Sequence, residues 1–358
     1  MNKPVSCDLF CTVVDNFGDA GVAWRLARQL AGEFGWQMRL WIDDLAPLAR
    51  LRPGIDPALD QQLVDAVSIR RWAVPFPAVT PAQVVIEAFA CELPAGFVDA
   101  MAQRPPVWIN LEYLSAESWV SGSHGMASRH PSLPLVKHFF FPGFTVGTGG
   151  LIRESDACFS GTKKSADLTV SLFCYDNPAL SPLLDRWADG DEPVRCLVAD
   201  SLPRQGAAAW AAAEFPVGGE IRRGALTLTA MPFLPQPEYD RLLGACDLNF
   251  VRGEDSFVRA QWAQRPFVWQ IYPQTEDAHH EKLEAFLALY TTGLDANTAA
   301  DVANFWRAWN GAGDPAAAWP AMRRALPELA AHASIWAEKI ASPGYLAENL
   351  ARFCLGRL

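Results

Sequence analysis

The chain has 358 residues, half of them hydrophobic and 20% charged, with 30 basic side chains against 40 acidic ones and a net charge of −10. At roughly 150 residues per domain, this length holds about two domains with proper cores, which excludes disordered and fibrous classes. The acidic balance excludes a broad nucleic-acid surface, and no apolar run reaches the roughly 18 residues of a membrane-spanning helix.

Asp8 follows Met1 too closely for a signal-peptide apolar region, so a cytoplasmic protein is expected. The eight cysteines (Cys7, Cys11, Cys91, Cys158, Cys174, Cys196, Cys246 and Cys354) are scattered, with no C-x-x-C spacing. They read as buried reduced thiols rather than a metal or disulfide framework. The six histidines form no H-E-x-x-H motif.

Residues 5–14 form an apolar run that predicts a buried strand, followed by the polar loop Asp15-Asn16-Phe17-Gly18-Asp19. Val22, Leu26 and Leu30 at helical spacing predict a helix from Ala20 to Phe34. Strands are expected at 37–42, 67–72, 84–88 and 106–111, with a helix at 95–103. This alternation implies a parallel sheet with helices on both faces. From 115 to 165 the pattern dissolves into Ser, Gly, Pro and His, which reads as a linker region. It restarts with strands at 167–173, 194–199, 225–231, 246–251 and 267–271. Helices are expected at 179–188, 204–213, 237–244, 255–263 and 277–289. The last sixty residues are helical, and Trp306, Trp309, Trp319 and Trp336 read as core packing. The fold class is α/β: two doubly wound halves with a helical tail.

In open α/β sheets, ligands sit beyond the carboxyl ends of the strands. Two such places carry suggestive residues. In the first, Asp15 and Asp19 flank a loop in which Gly18 and Gly21 permit close approach of a ligand. Helix capping by Asp19 and a turn at Asp15 explain the same residues equally well. No G-x-G-x-x-G occurs there, which disfavours an ordinary dinucleotide site. The second place is Arg252-Gly253-Glu254-Asp255-Ser256, between a strand and a helix. Arg252, Ser256 and free helix N–H groups suit an anion, and the acids suit sugar hydroxyls. A phosphate-and-sugar site is the favoured reading over a capped surface helix. Phe173 and Tyr175 end the first strand of the second half, where a base would stack unless they are core aromatics. Asp189-Gly190-Asp191 has the D-x-D form of some metal sites, but a solvated turn is favoured. Glu276-Asp277-Ala278-His279-His280 reads as acids at the start of a helix.

Three longer motifs carry a resemblance. Asp15-Asn-Phe-Gly-Asp19-Ala-Gly-Val, Arg252-Gly-Glu-Asp-Ser-Phe-Val-Arg-Ala-Gln261 and Pro266-Phe-Val-Trp-Gln-Ile-Tyr-Pro-Gln274 closely resemble the EarP family. That family comprises bacterial protein-arginine rhamnosyltransferases that modify elongation factor P. The resemblance extends to Gly147-Thr-Gly-Gly-Leu-Ile-Arg-Glu154 and Glu276-Asp-Ala-His279. It implies a GT-B fold of two Rossmann-like domains: 1–150 for the acceptor protein, 151–335 for the donor, and a C-terminal helix at 336–358 packing back toward the first. It implies inverting transfer of L-rhamnose from dTDP-β-L-rhamnose to an arginine of elongation factor P, without metal or other cofactor. By position, Asp19 matches the general base, Asp15 its neighbour, and Glu254 an essential acid near the sugar. Arg252, Asp255 and Ser256 match the pyrophosphate loop, and Phe173, Tyr175, Gln236 and Tyr239 the surroundings of the nucleotide. Readings from other classes are a GT-B enzyme with a small-molecule or lipid acceptor, and a non-catalytic nucleotide-sugar sensor.

Overall fold

The computed structural model describes residues 4–15, 17–162, 166–273 and 278–358. The chain divides into two compact units, one of residues 1–156 with 340–358, the other of residues 157–339.

The first unit opens with β1 (Ser6–Cys11), α1 (Phe17–Phe34), β2 (Gln37–Ile42), α2 (Ala46–Leu51), β3 (Gln61–Val64) and β4 (Val67–Arg71). It continues with β5 (Val84–Ala88), α3 (Ala95–Gln103), β6 (Val107–Leu111), α4 (Val120–Ser123), β7 (Ala127–Arg129) and β8 (Val136–Phe140). The strands lie in the order β3-β4-β2-β1-β5-β6-β8-β7. All neighbours pair parallel except β3 with β4 and β7 with β8. The central strands β5 and β6 are buried along their whole length, as a sheet covered on both faces requires. Phe10, Trp41, Phe97 and Trp108 form an aromatic cluster on one face. Asp8 is fully buried within β1, and donors surround it: Arg39 at 2.5 and 2.6 Å, Trp41 Nε1 at 2.9 Å and the Ala82 N–H at 2.9 Å. A buried charge so fully paired supports the sheet and is not available for chemistry.

The expected linker at 115–165 is corrected here: β7 and β8 lie inside it and complete the first sheet. β7 is a three-residue edge strand and β8 lies between it and β6; their largely exposed or half-exposed residues (Val-Lys-His-Phe-Phe in β8) give no buried apolar run to read. The first strand is also shorter than residues 5–14 suggested. Thr12-Val13-Val14 looks like a strand, but Val14 is 66% exposed and belongs to the loop before α1. That helix begins at Phe17 rather than Ala20.

The second unit runs β9 (Leu168–Leu172), α5 (Leu180–Ala188), β10 (Val194–Val198), α6 (Leu202–Ala211), β11 (Glu220–Arg223), β12 (Leu226–Ala230) and α7 (Gln236–Ala245). It goes on to β13 (Leu248–Arg252), α8 (Asp255–Trp262), β14 (Phe267–Gln270), α9 (Ala278–Tyr290), α10 (Ala296–Trp309) and α11 (Pro315–Ala341). Its sheet has the order β11-β12-β10-β9-β13-β14, with only β11 antiparallel. Trp306, Trp309, Trp319 and Trp336 are buried, as expected of core residues. Seven cysteines are buried; Cys158 is exposed, against the expectation for the set. None is in a disulfide.

After α11 a turn at Gly344 (φ +85°) leads to α12 (Leu346–Leu355), so residues 336–358 hold the end of one helix and the whole of another. Within the first unit, α12 packs on α1. The Leu346 N–H donates to the Leu151 carbonyl at 2.9 Å, and Asn349 Nδ2 donates to the Gly149 carbonyl at 3.1 Å. No helix among the described residues is long and apolar enough to cross a membrane.

Candidate functional site

Each sheet has one place where the chain leaves a central strand and returns on its other side. In the first unit it lies between β1 and β5. In the second it lies between β9 and β13. Ligands bind at such switch points because the diverging loops open a crevice there. Both candidate constellations fall at the carboxyl ends of these strands.

In the first unit Asp19 sits in the first turn of α1 and is 3% exposed. Its Oδ2 accepts the N–H groups of Val14 and Asp15, each at 2.8 Å. Burial holds the carboxyl above the usual carboxylate range, and the charge of Asp43 adds to this. The two backbone N–H groups and the Tyr113 hydroxyl, which also hydrogen-bonds this carboxylate, oppose the shift. Such a group is desolvated, oriented and a better proton acceptor than an exposed aspartate. The capping expected of Asp19 takes another form: it is the third residue of α1, and its two bonds to Val14 and Asp15 fasten the loop before the helix rather than the helix's own first N–H groups. Asp15 is half-buried beside it, and the Gly18 N–H bonds the Asp15 carbonyl at 2.7 Å. A Cβ on Gly18 would stand 2.6 Å from Asp15 Oδ2, so the glycine is what lets this acid turn in over the helix start. Gly21 is buried one turn further on. Asn16 lies outside the described residues.

In the second unit Arg252 ends β13 and is 8% exposed. Its guanidinium lies 4.6 Å from the Phe173 ring centroid and 4.3 Å from that of Tyr175. The rings continue outward as edge-on pairs, Phe173 with Tyr239 at 5.9 Å and Tyr175 with Tyr272 at 5.4 Å. The two aromatics at the end of β9 therefore hold the arginine in place. The Tyr175 N–H donates to Gln270 Oε1 at 2.8 Å, tying this arm to β14. Gly253 follows at φ +59°, a left-handed turn that suits glycine and aims the start of α8 toward the strand ends. Glu254 is the half-buried N-cap residue, and Asp255 opens the helix. Gln236, at the start of α7, donates to Asp255 Oδ2 at 3.2 Å. The Ser256 hydroxyl donates to the Arg252 carbonyl at 2.5 Å and accepts the Arg252 N–H at 3.1 Å. Its proton therefore serves the turn. Burial, with Asp255 and Asp240 nearby, pushes the Tyr239 hydroxyl well above its ordinary pKa. The Arg252 guanidinium and the N–H groups that open α8 give this turn a fixed cation and donors suited to a diphosphate, beside the carboxylates of Glu254 and Asp255.

The structure thus gathers Phe173, Tyr175, Gln236, Tyr239, Arg252, Glu254, Asp255 and Ser256 at one switch point, and Asp15, Gly18, Asp19 and Gly21 at the other. Asp189 and Asp191 do not join them: they are exposed in the turn from α5 to β10, at the opposite end of the sheet. Among the described residues no group of three or more His, Cys, Asp or Glu is placed to hold a metal ion. Gln274, Glu276 and Asp277 lie outside the described residues. Tyr113, Phe89 and Asp43 escaped sequence reasoning because they come singly from three separate strand ends. Only their position after β6, β5 and β2 could have pointed to them.

The profile of the family described as elongation factor P (EF-P) rhamnosyltransferase EarP matches residues 7–355. A protein-arginine rhamnosyltransferase of Pseudomonas putida is 48% identical over 369 aligned residues, covering 97% of each chain. One from Pseudomonas aeruginosa is 45% identical, over 97% of this chain and 98% of its own. A solved structure concerned with EarP-mediated arginine glycosylation of translation elongation factor EF-P superposes with a TM-score of 0.69. It is 36% identical and covers 99% of this chain and 100% of its own. The calicheamicin glycosyltransferase CalG4 shares the architecture alone, with a TM-score of 0.53 at 12% identity over 99% of both chains. The two-sheet α/β architecture is the GT-B fold of glycosyltransferases. The chain belongs to the EarP family of elongation factor P rhamnosyltransferases.

Proposed function

We propose that the chain transfers L-rhamnose from dTDP-β-L-rhamnose to one arginine side chain of elongation factor P, inverting the anomeric centre. The observation that carries this reading is the buried Asp19 carboxylate, oriented by two backbone N–H groups at the switch point of the first sheet. Family membership supplies the reaction type.

An arginine guanidinium is protonated at any ordinary pH and is a poor nucleophile. Asp19 orients it and takes its proton as the new nitrogen–carbon bond forms; Asp15 adds negative charge beside it. As the bond from sugar to diphosphate breaks, positive charge develops at the anomeric carbon, and Glu254 stabilises it. The leaving dTDP gathers negative charge. Arg252, fixed between Phe173 and Tyr175, and the N–H groups of α8 receive that charge without needing a divalent cation. Gln236, Asp255, Ser256 and Tyr239 shape the nucleotide side. Because the acceptor is a translation factor, the reaction belongs in the cytoplasm.

Incubation of the protein with elongation factor P and dTDP-β-L-rhamnose, followed by intact-mass and fragment analysis, tests this. The expected product is the factor carrying one deoxyhexose on one arginine. Recovery of unmodified factor under conditions where the protein binds dTDP would overturn the reading.

A further inference from the structure

Asp19 has a third partner that comes from a distant part of the sheet. Tyr113 lies two residues beyond the end of β6, and its hydroxyl hydrogen-bonds the Asp19 carboxylate. Its ring stacks on Phe89, with centroids 4.8 Å apart and planes 23° from parallel. Phe89 in turn sits in an unusual turn. Phe89 and Ala90 have φ values of +59° and +54°, a left-handed conformation that L-residues rarely adopt in succession. The turn is held by the Phe89 N–H donating to the Leu111 carbonyl at 2.7 Å and the Cys91 N–H to the Ala88 carbonyl at 3.3 Å. Non-glycine residues kept in this region concentrate at functional sites, where surrounding structure over-determines them. Here the strained turn places an 8%-exposed phenylalanine beneath a tyrosine that is 39% exposed.

From this geometry we propose that Tyr113, seated on Phe89, is a positioning and specificity residue. Its hydroxyl orients the Asp19 carboxylate, and its ring receives the planar guanidinium of the acceptor. The inference rests on the reading of Asp19 as proton acceptor. Phe89 stacks on the ring, the side chain stays 39% exposed, and its hydroxyl bonds the carboxylate that the guanidinium must reach. A guanidinium stacks on an aromatic face while its N–H groups, which lie in its own plane, remain free to reach a carboxylate, an arrangement that a lysine ammonium cannot reproduce. The other ionisable groups facing Asp19 are Asp43 beyond β2, and Asp15 and Cys11 from the β1 side. Asp15, like Val14, donates to Oδ2 through its backbone N–H, whereas the Tyr113 hydroxyl is a side-chain donor that a single substitution can remove.

The test uses full-length protein labelled with [13C]-carboxyl aspartate, with the Asp19 signal assigned through Asp19→Asn. In Tyr113→Phe, which keeps the ring, Asp19 should titrate at higher pH than in the wild type. A hydrogen bond to the charged form lowers a carboxyl pKa, and removing it raises it. The acidic limb of the kcat profile should move the same way, and kcat should fall about tenfold with the donor KM unchanged. Tyr113→Leu should in addition raise KM for the acceptor protein about tenfold over Tyr113→Phe. Superimposable Asp19 titrations in wild type and Tyr113→Phe overturn the positioning role, whatever the activity. Equal acceptor KM in the two variants overturns the stacking role. A wild-type protein that moves no sugar while its Asp19 signal shifts as expected would overturn the transfer reading instead, and with it the catalytic part of this proposal.

Discussion

The side chain of Arg252 shows how a single residue acquires a role from its neighbours. A surface arginine samples many rotamers, and ordering it costs up to about 2 kcal/mol. Between Phe173 and Tyr175 that cost is met on folding, so the guanidinium is already in place when an anion arrives. Cation–π contact at a desolvated site contributes on the order of 1–2 kcal/mol. Phe173→Ala and Tyr175→Ala should therefore each weaken dTDP binding about tenfold in calorimetry. Because both act largely through Arg252, either change combined with Arg252→Ala should cost less than the sum of the separate losses. Strict additivity would show that the rings contact the nucleotide independently of the arginine. The sequence pointed to all three residues, Phe173 and Tyr175 as a base shelf and Arg252 as a phosphate ligand. It did not show that they touch, because β9 and β13 become neighbours only when the second sheet forms.

At the scale of elements, α1 is the part that must be placed correctly, since it carries Asp19. Arg25, two turns on, forms a 3.0 Å ion pair with Glu154 in which both side chains are 2% exposed. Arg28 joins Glu154 and Asp156, while Gln29 and Glu33 bond the backbone of Arg153 and Ser155. This network fastens the helix to the segment before residue 157, where the second unit begins. Removing one partner of a buried pair leaves an uncompensated charge. Glu154→Ala should destabilise the first unit by about 3–5 kcal/mol in chemical denaturation, and an unchanged midpoint would show the pair to be dispensable. Gly18→Ala should instead spare stability and lower the transfer rate, as the added Cβ pushes against the Asp15 carboxylate. A lowered melting temperature with an unaltered rate would reverse that assignment. Most of these elements were legible in the apolar alternation: β5 and α3 fall where it put them. The misses, α2, β3, α4, β7, β8 and β11, are short or lie at sheet edges, where exposed residues erase the periodicity.

At the scale of the whole molecule, each unit holds one half of the proposed reaction, the acceptor's base in the first and the donor's anion site in the second. The acceptor should therefore be a folded domain whose remote contacts hold the arginine in line. Initial rates with intact elongation factor P and with its isolated arginine-bearing domain should be similar, and far above those with a loop peptide. Comparable efficiency with the peptide would favour a small-acceptor enzyme. Activity should also survive EDTA; its loss, with recovery on adding magnesium, would return attention to Asp189 and Asp191. The family was legible because the Asp15–Val22 and Arg252–Gln261 motifs are long and contiguous. Tyr113 was not, because its function depends on a turn at Phe89 that no local pattern announces. The most direct test of this division of labour pairs dTDP calorimetry with single-turnover transfer in Asp19→Asn, which keeps the shape of the side chain but cannot accept the proton. If Asp19 is the proton acceptor, donor affinity stays close to wild type and transfer slows by about 10²–10⁴-fold. Near-normal transfer in that variant would contradict this role and leave Asp19 as no more than a fastener of the loop before its helix.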